Sequence, residues 1–335
     1  MATDTVAPLR AAARAELRSA LRGLGDGALG WLERHLAWFD PFSPEARASA
    51  HGRSAHGRAK AALELALLRH CWARTAAEGD GRLGRVTEHV RTLWRQPEVR
   101  GLVTAVPAHA TYYGLVHAAL DPDGPPAGTV LDRAAVDGLS PYARLELRYY
   151  ADQARARHTI EPYAALVERI ELVTLPAAVR ERAVPDGEPP VSVPDAYGIT
   201  HSSYYLTDFG RTAPPLSAER LADARDLVRT VLEHCVRRSW WDLAAELMMA
   251  QVCLGERPLD TPWGRAALDL LVRAQRPDGA IPGRSANTAA APSAPADEFF
   301  AAAYHTTLVT ALMVLLVSSA DAPAVGPAVG AGAAS

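Results

Sequence analysis

The sequence predicts an all-α fold, an α/α-toroid in which about six or seven inner helices form a ring inside outer ones. Three observations carry this expectation. Apolar residues recur at three- and four-residue steps along most of the 335-residue chain, and no segment sustains the two-residue alternation of a strand. Helices charged on one side alternate with helices apolar almost throughout, as expected where inner helices touch neighbours all round. A histidine followed by two small or hydroxyl-bearing residues recurs as His109-Ala-Thr, His201-Ser-Ser and His305-Thr-Thr, at intervals of 92 and 104 residues. Those intervals approach two multiples of a helical-hairpin unit of about 40–50 residues, so equivalent helix starts would bring the three imidazoles to one rim.

In chain order, the charged helices are expected near 8–23, 83–96, 126–137, 162–173, 216–237 and 262–275. The apolar ones fall near 27–38, 57–77, 108–120, 142–155, 200–209, 240–254 and 298–318. Ser43-Pro44, Ser140-Pro141 and Thr261-Pro262 each join a hydroxyl N-cap to a proline in the first turn, and Asp297 is expected to cap the last helix. Residues 176–199 and 276–296 read as long irregular segments, each leading towards a candidate histidine, as a lid or a disordered excursion does. Residues 1–318 are expected to form one domain, followed by a disordered tail at 319–335, rich in Ala, Gly, Pro and Val.

Composition narrows the function classes. A net charge of −3 and a single lysine, Lys60, with no basic cluster among aromatics, argue against a nucleic-acid partner. Residues 299–317 carry no formal charge, yet His305, Thr306, Thr307 and Thr310 lie within them. A buried inner helix explains the stretch better than a membrane span. Cys71, Cys235 and Cys253 form no Cys-x-x-Cys pair and sit in apolar helical patterns, which together with the lack of a secretion signal suggests a reduced, cytoplasmic location.

Gln275-Arg-Pro-Asp278-Gly279 resembles the Gln-x-x-Asp-Gly turn that ends outer helices in α/α-toroid enzymes such as terpene cyclases and protein prenyltransferase β-subunits. Tyr304-His305-Thr306-Thr307 and the apolar run after it resemble the last inner helix of the prenyltransferases. There the matching histidine is a zinc ligand, so the resemblance implies that zinc is possible here. It covers about 50 residues, on the scale of one or two helical repeats. The prenyltransferases supply an Asp-x-Cys from the preceding inner helix, where this chain has Asp242-Leu-Ala, without the thiolate. The Cys-His-Gly of lanthionine cyclases and the Asp-rich motif of class II terpene cyclases have no counterpart. The whole chain also resembles a group of actinobacterial proteins, some encoded near natural-product clusters.

His201 is the first candidate, because Thr200, His201, Tyr204, Tyr205, Thr207 and Asp208 make its helix more polar than packing needs. His201, Tyr204 and Asp208 share one face by helical spacing, with Asp208 placed to orient an imidazole acting as general base or acid. His305 follows on its resemblance, and His109 on the repeat. Tyr112, Tyr113, Tyr205, Trp240, Trp241 and Tyr304 are the expected substrate-binding wall. The duplicated His51-Gly-Arg and His56-Gly-Arg place their imidazoles on different helix faces, which favours a structural role. The expected function is a cyclase or lyase of bacterial specialised metabolism using no cofactor. Its substrate would be a flexible peptidic or apolar molecule, processed with partner biosynthetic enzymes; thiol addition as in lanthionine cyclases is one form. The alternatives are a non-catalytic scaffold for a precursor peptide or partner enzyme, and a zinc enzyme using the histidines with Asp242 or Asp208.

Overall fold

Hydroxyl caps open the helices at most of the expected places. Ser54, Ser140, Ser192, Ser217 and Thr261 each accept a hydrogen bond from the amide three residues on, and a proline stands in the first turn after Ser140, Ser192 and Thr261. The computed structural model describes residues 6–48, 54–75, 80–105, 109–121, 130–131, 136–181 and 187–321. Their order is α1 (Val6–Arg34), α2 (Leu36–Phe39), α3 (Pro44–Ala48), α4 (Ala55–Ala73), α5 (Gly81–Arg95), α6 (Pro97–Ala105) and α7 (Ala110–Leu120). Then come β1 (Val130–Leu131), α8 (Pro141–Gln153), β2 (Arg157–His158), α9 (Tyr163–Val167), α10 (Glu171–Glu181) and α11 (Val193–Thr207). The chain continues with α12 (Ala218–Arg237), α13 (Trp241–Cys253), α14 (Pro262–Ala274) and α15 (Ala296–Asp321). The fold is all-α, with one two-residue parallel pairing of β1 and β2.

The helix contacts run in a circle. α4 packs on α7, α7 on α8, α8 on α11, α11 on α13, α13 on α15, and α15 returns to α4. Those six helices include the most apolar segments of the chain; α13 is buried at twelve of its thirteen positions. The amphipathic helices lie outside: α1 against α15, α5 against α4, α12 and α14 against α13, and α10 against α11 and α12. In α15 the apolar window long enough to cross a membrane is 78% buried against this packing, the position of a core helix.

Several boundaries differ from expectation. The elements expected at 8–23 and 27–38 are mostly one helix, α1, which lies outside the ring. Gly25 lets it approach α15 closely, since a Cβ there would stand 2.5 Å from Val314 Cγ1. The helix expected at 126–137 is replaced, where described, by β1 and a turn. The irregular segment expected at 176–199 is helical at both ends, because Ser192 and Pro194 start α11 two turns before His201. Asp297 lies inside the first turn of α15 rather than capping it. The expected tail begins as helix: α15 continues to Asp321, whose carboxylate is held by Arg14 and Arg18 of α1. The rest of 319–335 and His51 lie outside the described residues.

The Gln-x-x-Asp-Gly turn fastens α14 to α1. The Gln275 amide donates to the carbonyls of Leu24 (2.9 Å) and Gly279 (3.1 Å), and Asp278 accepts from the Ala280 amide (3.1 Å). Gly279 has φ 94°, and a Cβ there would lie 2.1 Å from the Gly27 carbonyl oxygen. Gly279→Ala is therefore expected to destabilise the protein by at least about 1–3 kcal/mol, from left-handed backbone strain with the backbone clash added. Urea unfolding with an unchanged midpoint would contradict this.

Candidate functional site

The circle of helices encloses a cavity of about 400 Å³ to which all six contribute side chains. Exposed or half-buried residues from early helical turns, His56 and Lys60 of α4 and Tyr142 of α8, stand towards its mouth, with His109 at the N-cap of α7. Leu312 of α15, with Phe209 just past the end of α11, lies at its floor, and Phe209 also lines a second cavity between the C-terminal ends of α4, α11, α13 and α15.

His109, His201 and His305 do converge on this cavity, though only His109 stands at a helix start. His201 lies in the third turn of α11 and His305 in the third turn of α15. His201 Nδ1 is 2.8 Å from the Tyr197 carbonyl oxygen. In the neutral ring that contact places the proton on Nδ1 and leaves Nε2 as the acceptor available to the cavity. His56, which the sequence pattern favours as structural, lies here too: its ring centroid is 4.8 Å from that of His109, and Nδ1 shares a 3.0 Å hydrogen bond with the Tyr113 hydroxyl. Burial, helped by His109 and Lys60, lowers the His56 pKa.

Two carboxyl groups on α13 supply what sequence reasoning missed or underweighted. Asp242 and Glu246, one turn apart, are 1% and 2% exposed. Asp242 accepts from Tyr197 (2.9 Å) and Thr306 (3.2 Å), and it stands 3.6 Å from His305 Nε2 and 3.8 Å from Arg284 Nε. Glu246 accepts from Thr200 at 2.7 Å and lies 4.0 Å from His201 Nδ1. On the other side of His305, Glu64 of α4 approaches Nδ1 at 3.0 Å, and Lys60 lies 3.4 Å from the same carboxylate. The His305 ring nitrogen forms no aligned hydrogen bond to Glu64, so their contact is principally Coulombic.

These surroundings push charges in opposite directions. Burial opposes ionisation of Glu64, but the charges of His305 and Lys60 outweigh it and hold the carboxyl at about 2. Burial likewise opposes the charge on His305, and Glu64 and Asp242 reverse the balance to raise its pKa. Glu246 is raised, burial exceeding the help it receives from His201 and Thr200. A carboxyl held ionised and another pushed towards its neutral form, within one cavity, are the ingredients of paired acid and base roles.

Tyr112, Tyr113, Tyr204 and Tyr205 line the cavity as expected, joined by Tyr142, Tyr150 and Tyr197. The Tyr204 hydroxyl is committed to the Glu246 backbone carbonyl at 2.7 Å. Asp208 is a correction: it ends α11 in a left-handed conformation (φ 49°), which turns its carboxylate to Arg74 (2.8 Å) and Tyr149 (2.8 Å), away from His201. Trp240, Trp241 and Tyr304 do not line the cavity either. Trp240 packs edge-on against His234 near the surface, Trp241 donates its indole N–H to the Gly283 carbonyl, and Tyr304 stacks on Phe300 and meets Phe39 edge-on. Asp242, Glu246 and His305 offer donor atoms within 4.8 Å of one another, a set able to hold a divalent ion. His305 and Asp242 meet here, with Glu246 nearby.

The Glu64–His305 pair has a defined pH window. The Glu64 contribution is present above its ordinary pKa of 4.5 and lost as pH falls towards 2. The His305 contribution is present below 6.5 and lost as pH rises through its raised value. Glu64→Gln is expected to cost about 3–5 kcal/mol, with the largest deficit between those limits. A stability deficit that does not vary with pH, measured by chemical unfolding, would refute the pairing.

Residues 25–315 match the family described as "Domain of unknown function (DUF6895)", and the chain belongs to it. No curated protein and no solved structure matches the chain.

Proposed function

We propose that this member of the DUF6895 family is an enzyme of bacterial specialised metabolism, a cyclase or lyase that moves protons within its central cavity. The observation that carries the reading is the meeting of four histidines, from α4, α7, α11 and α15, with carboxyl groups of opposite tendency among tyrosine walls. Its architecture is read as an α/α-toroid, supported by the circular order of helix contacts. Three buried, unpaired cysteines suit a cytoplasmic setting.

His201 Nε2 is the proposed base, with its ring oriented by the Tyr197 carbonyl. Glu246 takes the supporting place that Asp208 vacates, and its raised pKa suits it to carry a proton that it can donate. Tyr204 is a positioning residue, clamping the backbone of α13 at Glu246. The apolar and aromatic wall suits a flexible peptidic or apolar substrate folded for intramolecular reaction.

A second reading, a metal enzyme, is favoured by the clustered donors of Asp242, Glu246 and His305. Zinc bound there would act as a Lewis acid or lower the pKa of a water, while His201 retains its place at the wall. Replacing the gene in its native host by His201→Ala tests the first reading. The strain should match a deletion, losing the product and accumulating its precursor in chromatography–mass spectrometry. If His201→Ala keeps the product that the deletion loses, the protein acts as a scaffold. Stoichiometric metal in the purified protein, lost in His305→Ala, would favour the second reading.

A further inference from the structure

The carboxylates around the cavity are not equally neutralised. Glu64 has Lys60 and His305, Asp242 has Arg284 and His305, and Glu246 has His201. Glu146 of α8 has only phenols: Tyr112 and Tyr205 donate to the same oxygen, Oε1, at 2.6 and 2.5 Å. Among the described residues no lysine, arginine or histidine forms an ion pair with it. A half-buried carboxylate that accepts hydroxyl hydrogen bonds but meets no cation lacks the compensation its neighbours have.

Tyrosine rings wall the cavity around Glu146. Tyr112 and Tyr205 meet Tyr150 at steep angles of 72° and 65°, with centroids 5.8 and 5.6 Å apart. These are edge-to-face contacts, and all three rings also line the cavity, where the negative face of a tyrosine ring can meet a cation. Arg284 stands over Tyr197 nearer the mouth, whereas among the described residues no arginine or lysine stacks on Tyr112, Tyr150 or Tyr205. The missing positive charge and the aromatic lining therefore coincide at one place in the cavity.

We infer that this end of the cavity binds the ammonium group of an organic cation, seated among Tyr112, Tyr150 and Tyr205 with Glu146 as its counter-ion. This names the substrate class for the proposed reaction and rests on that reading of the cavity. The substrate would be an amine, primary or quaternary, with an apolar body reaching towards His201 and Glu246. Fixing the cationic end would present the remainder of the molecule to the acid/base groups in a restricted set of conformations.

Binding by the purified full-length protein tests this without turnover. Calorimetry would compare choline with its uncharged carbon isostere, dimethylbutanol, and phenethylammonium with phenethyl alcohol. At least one ammonium is expected to bind about tenfold or more tightly than its neutral partner. Preference for choline assigns a quaternary ammonium, and preference for phenethylammonium a primary one. Glu146→Gln should remove most of the preference while leaving affinity for the alcohols unchanged. His201→Ala should retain it, so loss of the reaction and loss of cation binding are read separately. Equal binding of charged and neutral partners in the wild-type protein would overturn the inference whether or not the variants fold, as would a preference that survives in a folded Glu146→Gln protein.

Discussion

Two carboxyl groups buried one turn apart on a central helix are the constraint on which the structure depends. An ionised carboxylate removed from water is costly unless donors or cations meet it, and a carboxyl without enough of them shifts towards its neutral form. Asp242 and Glu246 differ in how many partners they collect, and burial raises the Glu246 pKa. Asp242 draws partners from α11, α15 and the segment after α14, while Glu246 is left with one hydroxyl donor and a more distant imidazole. The helices around α13 must be placed so that these partners arrive, and the space among them becomes a polar cavity rather than a packed core.

The outer layer contributes to that placement. The segment after α14 is anchored to α1 through Gln275 and Gly279, and Ile281 then donates its amide to Thr307 of α15 at 2.9 Å. Arg284 follows, its carbonyl accepting from the Asp242 amide at 3.1 Å and its side chain reaching Tyr197 at 3.1 Å. A turn on the outside of the molecule thereby sets a cation beside a carboxylate that is 1% exposed. The same segment receives the Trp241 indole, so the first two residues of α13 are both pinned to this loop.

Much of this order is visible in the residues themselves. Periodicity and caps identify the all-α fold and most inner helices, and the recurring His-small-small pattern points to imidazoles that do share a cavity. The reason differs from the expectation: His201 and His305 sit turns inside their helices and reach the cavity by helical phase. Asp208 misled because helical spacing places it beside His201, whereas the helix ends there in a left-handed residue that rotates the carboxylate away. Glu64, Glu146 and Glu246 were hidden for a different reason. A glutamate set between two apolar neighbours, as each of these is, looks like a solvated position, and its cavity partners come from helices far away in sequence. Glu246 alone carried a local signal, a glutamate on a helix too apolar to have a solvent face.

Helices distant in sequence compensate one another's buried charges. A nitrogen-resolved NMR titration of the imidazoles tests it most directly. His305, between Glu64 and Asp242, is predicted to remain protonated above pH 6.5, while His56 titrates below that value and His70, half-buried beside Arg74, near 4. A His305 midpoint below 6.5, in the range of His56, would contradict this compensation, because burial would then outweigh the carboxylates placed around it.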